Sequence, residues 1–476
     1  MKRFVVALLV SCAGLSTLQA GDHTAFDRFF VDRTLRIDLM HSGSKETESF
    51  SLDGTKDDGT WPGSKVNLID TLNLGEYLLR VYDLATNVLI YSRGYSGIFG
   101  EWQTTNEASS GYYRTFSESV RSPFPRRAVQ VSVARRDKRM VFRELFTIVV
   151  DPNDPSQVNK EKPGVKPRVF TLADNGEPAE KVDIVILGDG YTAAEMEKFR
   201  KDAKRYNDLL FSTQPFKSRK QDFNVRALEV ESQESGIDVP DKNVWKNAAL
   251  ETRYSTFGLP RYVLTTENKT LRDIAATVPY DFICILVNDT RYGGGGIFNL
   301  YSTSYTGEPN KVQEWWMDYM YVHEFGHSFA GLGDEYYTSA VAYNDFYAPG
   351  VEPWEPNITA LRDARNVKWK AFLSDSIRVP TPWEKARYDS LGQALLRYDR
   401  LAPDYYGNFE PIWKQQQEIV RNPASLGKVG AFEGAGYASK GLYRPSLDCR
   451  MFSLSIVGFD PVCSAAIDRM IDFYAK

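Results

Sequence analysis

Histidine and cysteine are scarce in this chain, with four of each among 476 residues. A basic excess is also missing. Lys and Arg total 58 against 62 Asp and Glu, a formal net charge of −4, which argues against a nucleic-acid binder, normally marked by a basic excess. After the first twenty residues there is no long uncharged apolar run, so no transmembrane helix is expected. What is present is globular in character. Hydrophobic residues make up 42% and charged residues 25%, which excludes wholesale disorder. An aromatic share of 13% suits large packed surfaces or an aromatic-lined groove. The length predicts two or three domains, each able to bury a core.

Residues 1–20 read as a signal peptide. Lys2 and Arg3 precede the apolar stretch Phe4 to Leu15, and Leu18-Gln19-Ala20 offers a small-residue cleavage site before Gly21. The expected location is therefore exported: extracellular, periplasmic or cell-surface. Leu9-Val10-Ser11-Cys12 also fits a lipoprotein cleavage box, so a lipid anchor on Cys12 stays open beside free export. Cys284 lies in the apolar run Phe282 to Val287 and reads as a buried strand thiol. Cys449 and Cys463 are close enough in sequence to pair in an oxidising compartment, and their pairing stays open.

From about 30 to 150 the pattern has period two. Leu35, Ile37 and Leu39 alternate with Arg36, Asp38 and Met40, and Val129, Val131 and Val133 with Gln130 and Ser132. Together with the turns Asp57-Asp58-Gly59 and Pro62-Gly63, this predicts an all-β, sandwich-like domain over 21–155. His41 reads as a sheet-edge residue and His23 as part of a frayed terminus. The polar, proline-containing stretch 156–167 reads as a linker. The region 168–476 opens with a buried-type strand, Val182 to Leu187. Thr192-Ala193-Ala194-Glu195 then forms a capping box for a helix to about Leu210. Strands at Phe223 to Val230 and Phe282 to Val287 complete an α/β (α+β) arrangement. A Tyr-, Gln- and Arg-rich stretch at about 380–423 reads as a helical insert without assignable chemistry.

Gly188-x-Gly190-x-x-Ala193 has the form of a dinucleotide fingerprint. The acidic strand end wanted about 20 residues later is missing, since the next candidates are Glu229 and Glu231. The segment therefore reads as a tight strand-to-helix turn, with Asp189 near an active cleft. The Gly293 to Gly296 run lacks the Lys-Ser/Thr of a phosphate loop.

Two of the four histidines share one motif, His323-Glu324-Phe325-Gly326-His327. Four apart on a helix, they face the same way and can grip one metal ion, with Glu324 beside them to take a proton from a bound water. Val312, Trp316, Met320 and His323 form an apolar stripe leading into the site. A catalytic zinc takes three protein ligands and keeps a fourth position for water. No histidine follows His327, so the third ligand is a carboxylate, or else His23 or His41 from far upstream. Gly331 can end the helix in a left-handed turn. Asp334, three residues later, is the first choice and Glu335 the alternate.

The segment from His323-Glu324-Phe325-Gly326-His327 through Gly331-Leu332-Gly333-Asp334-Glu335-Tyr336 resembles the core of the secreted zinc metallopeptidase family whose type member cleaves immunoglobulin A. The resemblance takes in Ile186 to Thr192, Phe432 to Ala435, Tyr443-Arg444-Pro445 and Cys449-Arg450-Met451. It covers most of 165–476, and the strand-rich region before it looks like the family's N-terminal domain. It implies a metzincin-like fold: a twisted mixed sheet, a metal helix and a turn carrying Met451 beneath the metal. One departure stands out. In the metzincin pattern His-Glu-x-x-His-x-x-Gly-x-x-His/Asp, Gly331 comes one residue late, while the interval from Gly331 to Asp334 is kept.

Motif and resemblance together predict a zinc-dependent endopeptidase, with His323, His327 and Asp334 on zinc and Glu324 as general base. Its substrate would be a protein or peptide, a host protein or a glycoprotein among the options, and the antibody target itself does not carry over. Gly293 to Leu300 would be the edge strand that pairs with an extended substrate. Tyr336, Tyr337 or Tyr443 would steady the oxyanion. Two other classes stay open: a glycan- or protein-binding surface protein with a vestigial zinc site, and a zinc amidase or deacetylase acting on a non-peptide bond. The intact Glu324 speaks against the first.

Overall fold

The computed structural model describes residues 23–161, 164, 166–307, 314–337, 346–399, 402, 404–454 and 457–475. The expected signal segment with Cys12, Val312 and the side chains of His23 and Trp316 lie outside that description.

The N-terminal part is built from β1 (Phe30–Gly43), β2 (Glu48–Asp57), β3 (Tyr77–Asp83), β4 (Val88–Tyr95), β5 (Arg114–Pro125), β6 (Val129–Arg136), β7 (Phe142–Val150) and β8 (Val158–Asn159). They form two four-stranded sheets, ordered β5-β1-β2-β8 and β4-β3-β6-β7. The alternating residues read from the sequence meet in one core: Leu35, Ile37 and Leu39 from the first sheet, Val129, Val131 and Val133 from the second. Burying each of these side chains contributes about 1.5–3 kcal/mol. β8 lies inside the stretch read as a linker, yet it pairs in parallel with β2.

His41 is not a sheet-edge residue. Its strand is 14 residues long and pairs with β2 on one side and β5 on the other, so position 41 falls mid-sheet. The ring is fully buried, stacked 3.8 Å from Phe50 and 3.9 Å from Phe99. Its nitrogens stand 3.2 Å from Glu48 and 3.2 Å from Glu118.

The C-terminal part carries a six-stranded mixed sheet, made of β9 (Arg168–Ala173), β10 (Val182–Asp189), β11 (Phe223–Glu229), β12 (Phe282–Val287), β13 (Gly294–Ile297) and β14 (Tyr301–Tyr305), ordered β13-β14-β12-β10-β11-β9. The inner four strands are parallel, and β9 and β13 run antiparallel at the edges. Every residue of β10 is buried, which is why Val182 to Leu187 reads as a continuous apolar run. The capping box of Thr192 and Glu195 forms as expected and leads into helix Met196–Leu210. Helix Glu314–Ala330 packs across the sheet: Phe329 lies 4.7 Å from Phe282 and 5.2 Å from Phe325, between ring centroids. Helices Lys385–Leu395 and Tyr405–Val420 fill the stretch read as an insert. The hairpin of β15 (Phe432–Ala435) and β16 (Ala438–Arg444) and the helix Pro461–Tyr474 follow.

The two parts are fastened together. Phe99, Trp102 and Phe116 share an apolar cluster with Leu271, Ile283 and Tyr301. Arg121 donates to the Tyr280 carbonyl at 2.8 Å, and Lys56 meets Asp273 at 2.7 Å. Among the described residues no helix is long and apolar enough to cross a membrane.

Candidate metal centre

His323 and His327 project from the last turns of helix Glu314–Ala330. The helix stops at Gly331, whose φ is +61°, a conformation that costs a side-chain-bearing residue about 1–2 kcal/mol. The Gly331 N–H bonds the His327 carbonyl and the Leu332 N–H that of Gly326, so the chain reverses beneath the histidines. Asn357 clamps the reversed segment through both polar groups of Gly333, at 2.8 and 2.9 Å. The turn of the β15–β16 hairpin clamps it again, the Gly436 N–H donating to the Asp334 carbonyl at 2.8 Å.

This reversal brings Asp334 to the histidines. Its Oδ1 lies 3.0 Å from His323 Nε2 and 3.3 Å from His327 Nε2, and the two Nε2 atoms are 3.1 Å apart. Each ring is held from behind by the main chain. His327 Nδ1 faces the Leu332 carbonyl at 2.5 Å, and His323 Nδ1 faces the Arg450 carbonyl at 3.1 Å and the Tyr319 hydroxyl at 3.0 Å. A carbonyl only accepts, so each neutral imidazole carries its proton on Nδ1 and turns its Nε2 lone pair to the centre.

Three electron-pair donors therefore converge where Asp334 Oδ1, although buried, accepts no hydrogen bond of regular geometry. The pocket calls for positive charge. Burial disfavours an imidazolium at His327, yet the Asp334 carboxylate outweighs it and lifts the His327 pKa to about 9. Burial likewise opposes ionisation of Asp334, but His327 and His323 hold its carboxyl well below the usual range. Two imidazole nitrogens and one carboxylate oxygen fit a divalent cation that keeps an open position.

Glu335 turns the other way. Its Oε1 accepts from Asn357 Nδ2 at 2.9 Å and lies 3.3 Å from Cys463 Sγ. Met451 is fully buried under the metal helix, where a Cβ on Gly326 would lie 3.3 Å from its sulfur. Glu324 is 8% exposed, and burial raises its pKa.

Two cavities meet at Glu324 and Tyr336. One, of about 320 Å³, is walled by helices Lys385–Leu395 and Tyr405–Val420 through Tyr388, Leu395, Tyr405, Phe409 and Trp413. The other, of about 530 Å³, reaches the N-terminal part at Glu76, Glu101, Arg135 and Arg136. Tyr336 lines both, whereas Tyr337 and Tyr443 line neither. The Tyr337 hydroxyl is instead engaged by Asp389 at 2.6 Å. Asp189 is not at the cleft: it is fully buried and accepts from the Leu250 and Thr252 N–H groups and the Thr252 hydroxyl, tying a loop to the end of β10.

Sequence reasoning missed several residues of the centre. The Tyr437 hydroxyl donates to Asp334 Oδ2 at 2.5 Å, and Arg261 lines both cavities. Neither neighbours the motif in sequence. Tyr319 stands four residues before His323 on the same helical face, a signal that was available.

Two family models match the chain. Residues 170–471 match the family model of the IgA peptidase M64, and residues 25–147 match the peptidase M64 N-terminus. No curated protein matches the chain.

Proposed function

This chain belongs to the IgA peptidase M64 family, hence is a metallopeptidase, and we propose that it is an exported, zinc-dependent endopeptidase of metzincin-like build. In this reading residues 21–155 are the N-terminal domain, 156–167 the linker and 168–476 the peptidase domain. The observation that carries it is the convergence of His323 Nε2, His327 Nε2 and Asp334 Oδ1 within 3.3 Å of one another, with Glu324 in the same cleft.

The residues that would hold zinc are His323, His327 and Asp334; bound there, it would supply a Lewis acid for the scissile carbonyl and a water acidified towards neutral pH. Glu324 takes the proton of the attacking water on its carboxylate and returns it to the leaving amine. Burial makes that carboxylate a stronger base than an exposed glutamate. Tyr336 takes the role of steadying the oxyanion in this reading, supported by its lining both cavities. Tyr437 fixes Asp334 through its second oxygen, leaving Oδ1 turned to the centre.

The edge strand β13 orients an extended substrate. Part of its outer rim is already taken, because the Gly294 N–H bonds the Arg261 carbonyl and the Gly294 carbonyl accepts from Val263. Gly296, two residues on, presents its backbone groups on the same side and lines the larger cavity. Substrate pairing therefore centres on Gly296.

Glu324→Gln should retain the metal while kcat/KM on a mixed peptide library falls by about 10²–10⁴-fold. Unchanged turnover would remove Glu324 from proton transfer. His327→Ala should lose both ion and activity, and a stoichiometric ion with full activity in that variant would overturn the ligand assignment.

A further inference from the structure

Behind the metal centre lies a second convergence of donor atoms. Glu335, Cys449, Asp460 and Cys463 each bring one donor within 4.8 Å of the others, and all four residues are buried. The sulfurs of Cys449 and Cys463 are 3.8 Å apart, and Cys463 Sγ lies 3.3 Å from Glu335 Oε1. Each carboxylate has one oxygen fixed by the protein. Glu335 Oε1 is held by Asn357, and Asp460 Oδ1 caps the helix Pro461–Tyr474 by accepting from the Val462 and Cys463 N–H groups. Their other oxygens, Glu335 Oε2 and Asp460 Oδ2, are buried with no partner.

Two orphaned carboxylate oxygens beside two thiols, sealed from water, are costly as anions, which is why burial raises both carboxyl pKa values, and a cation between them removes that cost while engaging both oxygens. A disulfide would not supply it. Its sulfurs would have to close to about 2.05 Å, and both oxygens would stay unmatched. A tetrahedral ion with metal–sulfur bonds of about 2.3 Å sets its two sulfurs about 3.8 Å apart, the separation observed. Cys449 Sγ accepts the backbone N–H groups of Met451 at 3.5 Å and Asp460 at 3.4 Å, the outer-shell support that a ligating thiolate takes. Arg444, fully buried, acts electrostatically on Glu335 and partly offsets the anionic donor set.

We propose that Glu335, Cys449, Asp460 and Cys463 form a second metal site, closed by four protein ligands and suited to zinc or a cation of like softness. Binding releases to solvent the two thiol protons and any proton held by the buried Glu335 and Asp460 carboxyls. With no position left for water, the ion is structural. It joins the loop that carries Asp334, the segment that carries Met451 and the helix Pro461–Tyr474 at one point.

The test uses the full chain. Elemental analysis should find two ions per wild-type molecule and one in the double variant His323→Ala, His327→Ala. Loaded with cobalt(II), that variant should show a thiolate-to-metal charge-transfer band that Cys449→Ser abolishes. Should the double variant fail to fold, the cobalt spectrum of the wild type decides, because the histidine–aspartate centre has no sulfur donor. A folded double variant without metal, a wild type without the thiolate band, or an intact mass lower by two hydrogens from a Cys449–Cys463 disulfide would each overturn the site. A wild type that holds its one ion through thiolates would retain this site and sink the histidine centre instead.

Discussion

Asp334 shows how a single carboxylate can serve two masters. One oxygen faces the imidazoles and the other accepts the Tyr437 hydroxyl, so the group cannot rotate without breaking one set of contacts. Tyr437→Phe frees that rotation and should weaken metal affinity by about 10–100-fold, read by competition with a chelator of known affinity. The same pocket makes uptake pH-dependent. In the metal-free protein His327 holds its proton up to about pH 9, so a cation must displace it. Apparent affinity should then rise close to tenfold per pH unit between about pH 6 and 8, with proton release visible by calorimetry in buffers of different ionisation enthalpy. At this scale the proposed ligands were legible from the sequence because no histidine follows His327, which leaves a carboxylate or the distant His23 and His41, and Asp334 stands just past the helix-ending Gly331. Tyr437 and Arg261 were not legible, being 103 and 73 residues from Asp334 in sequence and brought in only by the fold.

At the scale of elements, glycines decide how closely the pieces approach. A Cβ on Gly296 would stand 2.3 Å from the Glu324 carbonyl, so Gly296→Ala must push β13 off the metal helix. Its melting temperature and its activity should fall together. Gly331→Ala combines a left-handed φ with a Cβ 2.7 Å from Trp354, and should cost about 1–2 kcal/mol from the backbone alone, measured by denaturant unfolding. The capping box and the buried strands were readable because local chemistry dictates them. The helices at Lys385–Leu395 and Tyr405–Val420 were readable as helices, yet their use was not. Tyr405, Phe409 and Trp413 fall four residues apart, a stripe that could equally be core, and only its placement shows that it walls a cavity. Trp413→Ala should therefore raise KM for peptides far more than it lowers kcat, in steady-state assays across substrate lengths.

For the molecule as a whole, the buried His41 couples stability to pH. Burial opposes its charge, but Glu118 and Glu48 overcome that and raise its pKa above the ordinary value. A raised histidine pKa stabilises fully below about pH 6.5, the unfolded value, and the contribution fades as pH climbs through the folded one. The stability gap between wild type and His41→Asn should thus narrow as pH rises from about 6 to 8, followed by thermal melts. The sequence exposed the period of β1 but not its partners on both sides, which is why His41 looked peripheral. The junction of the two parts was equally hidden, since nothing in the sequence marks Phe99 and Trp102 as partners of Leu271, Ile283 and Tyr301. That junction has a consequence for what can be cut. Among the described residues the cleft is lined by the β-rich N-terminal part on one flank and by helices Lys385–Leu395 and Tyr405–Val420 on the other, with Glu324 between them. On the function proposed, strand-like stretches released from their own tertiary contacts should be cut far faster than the same sequence inside a folded protein, so the foldedness of the target, as much as its side chains, would gate proteolysis.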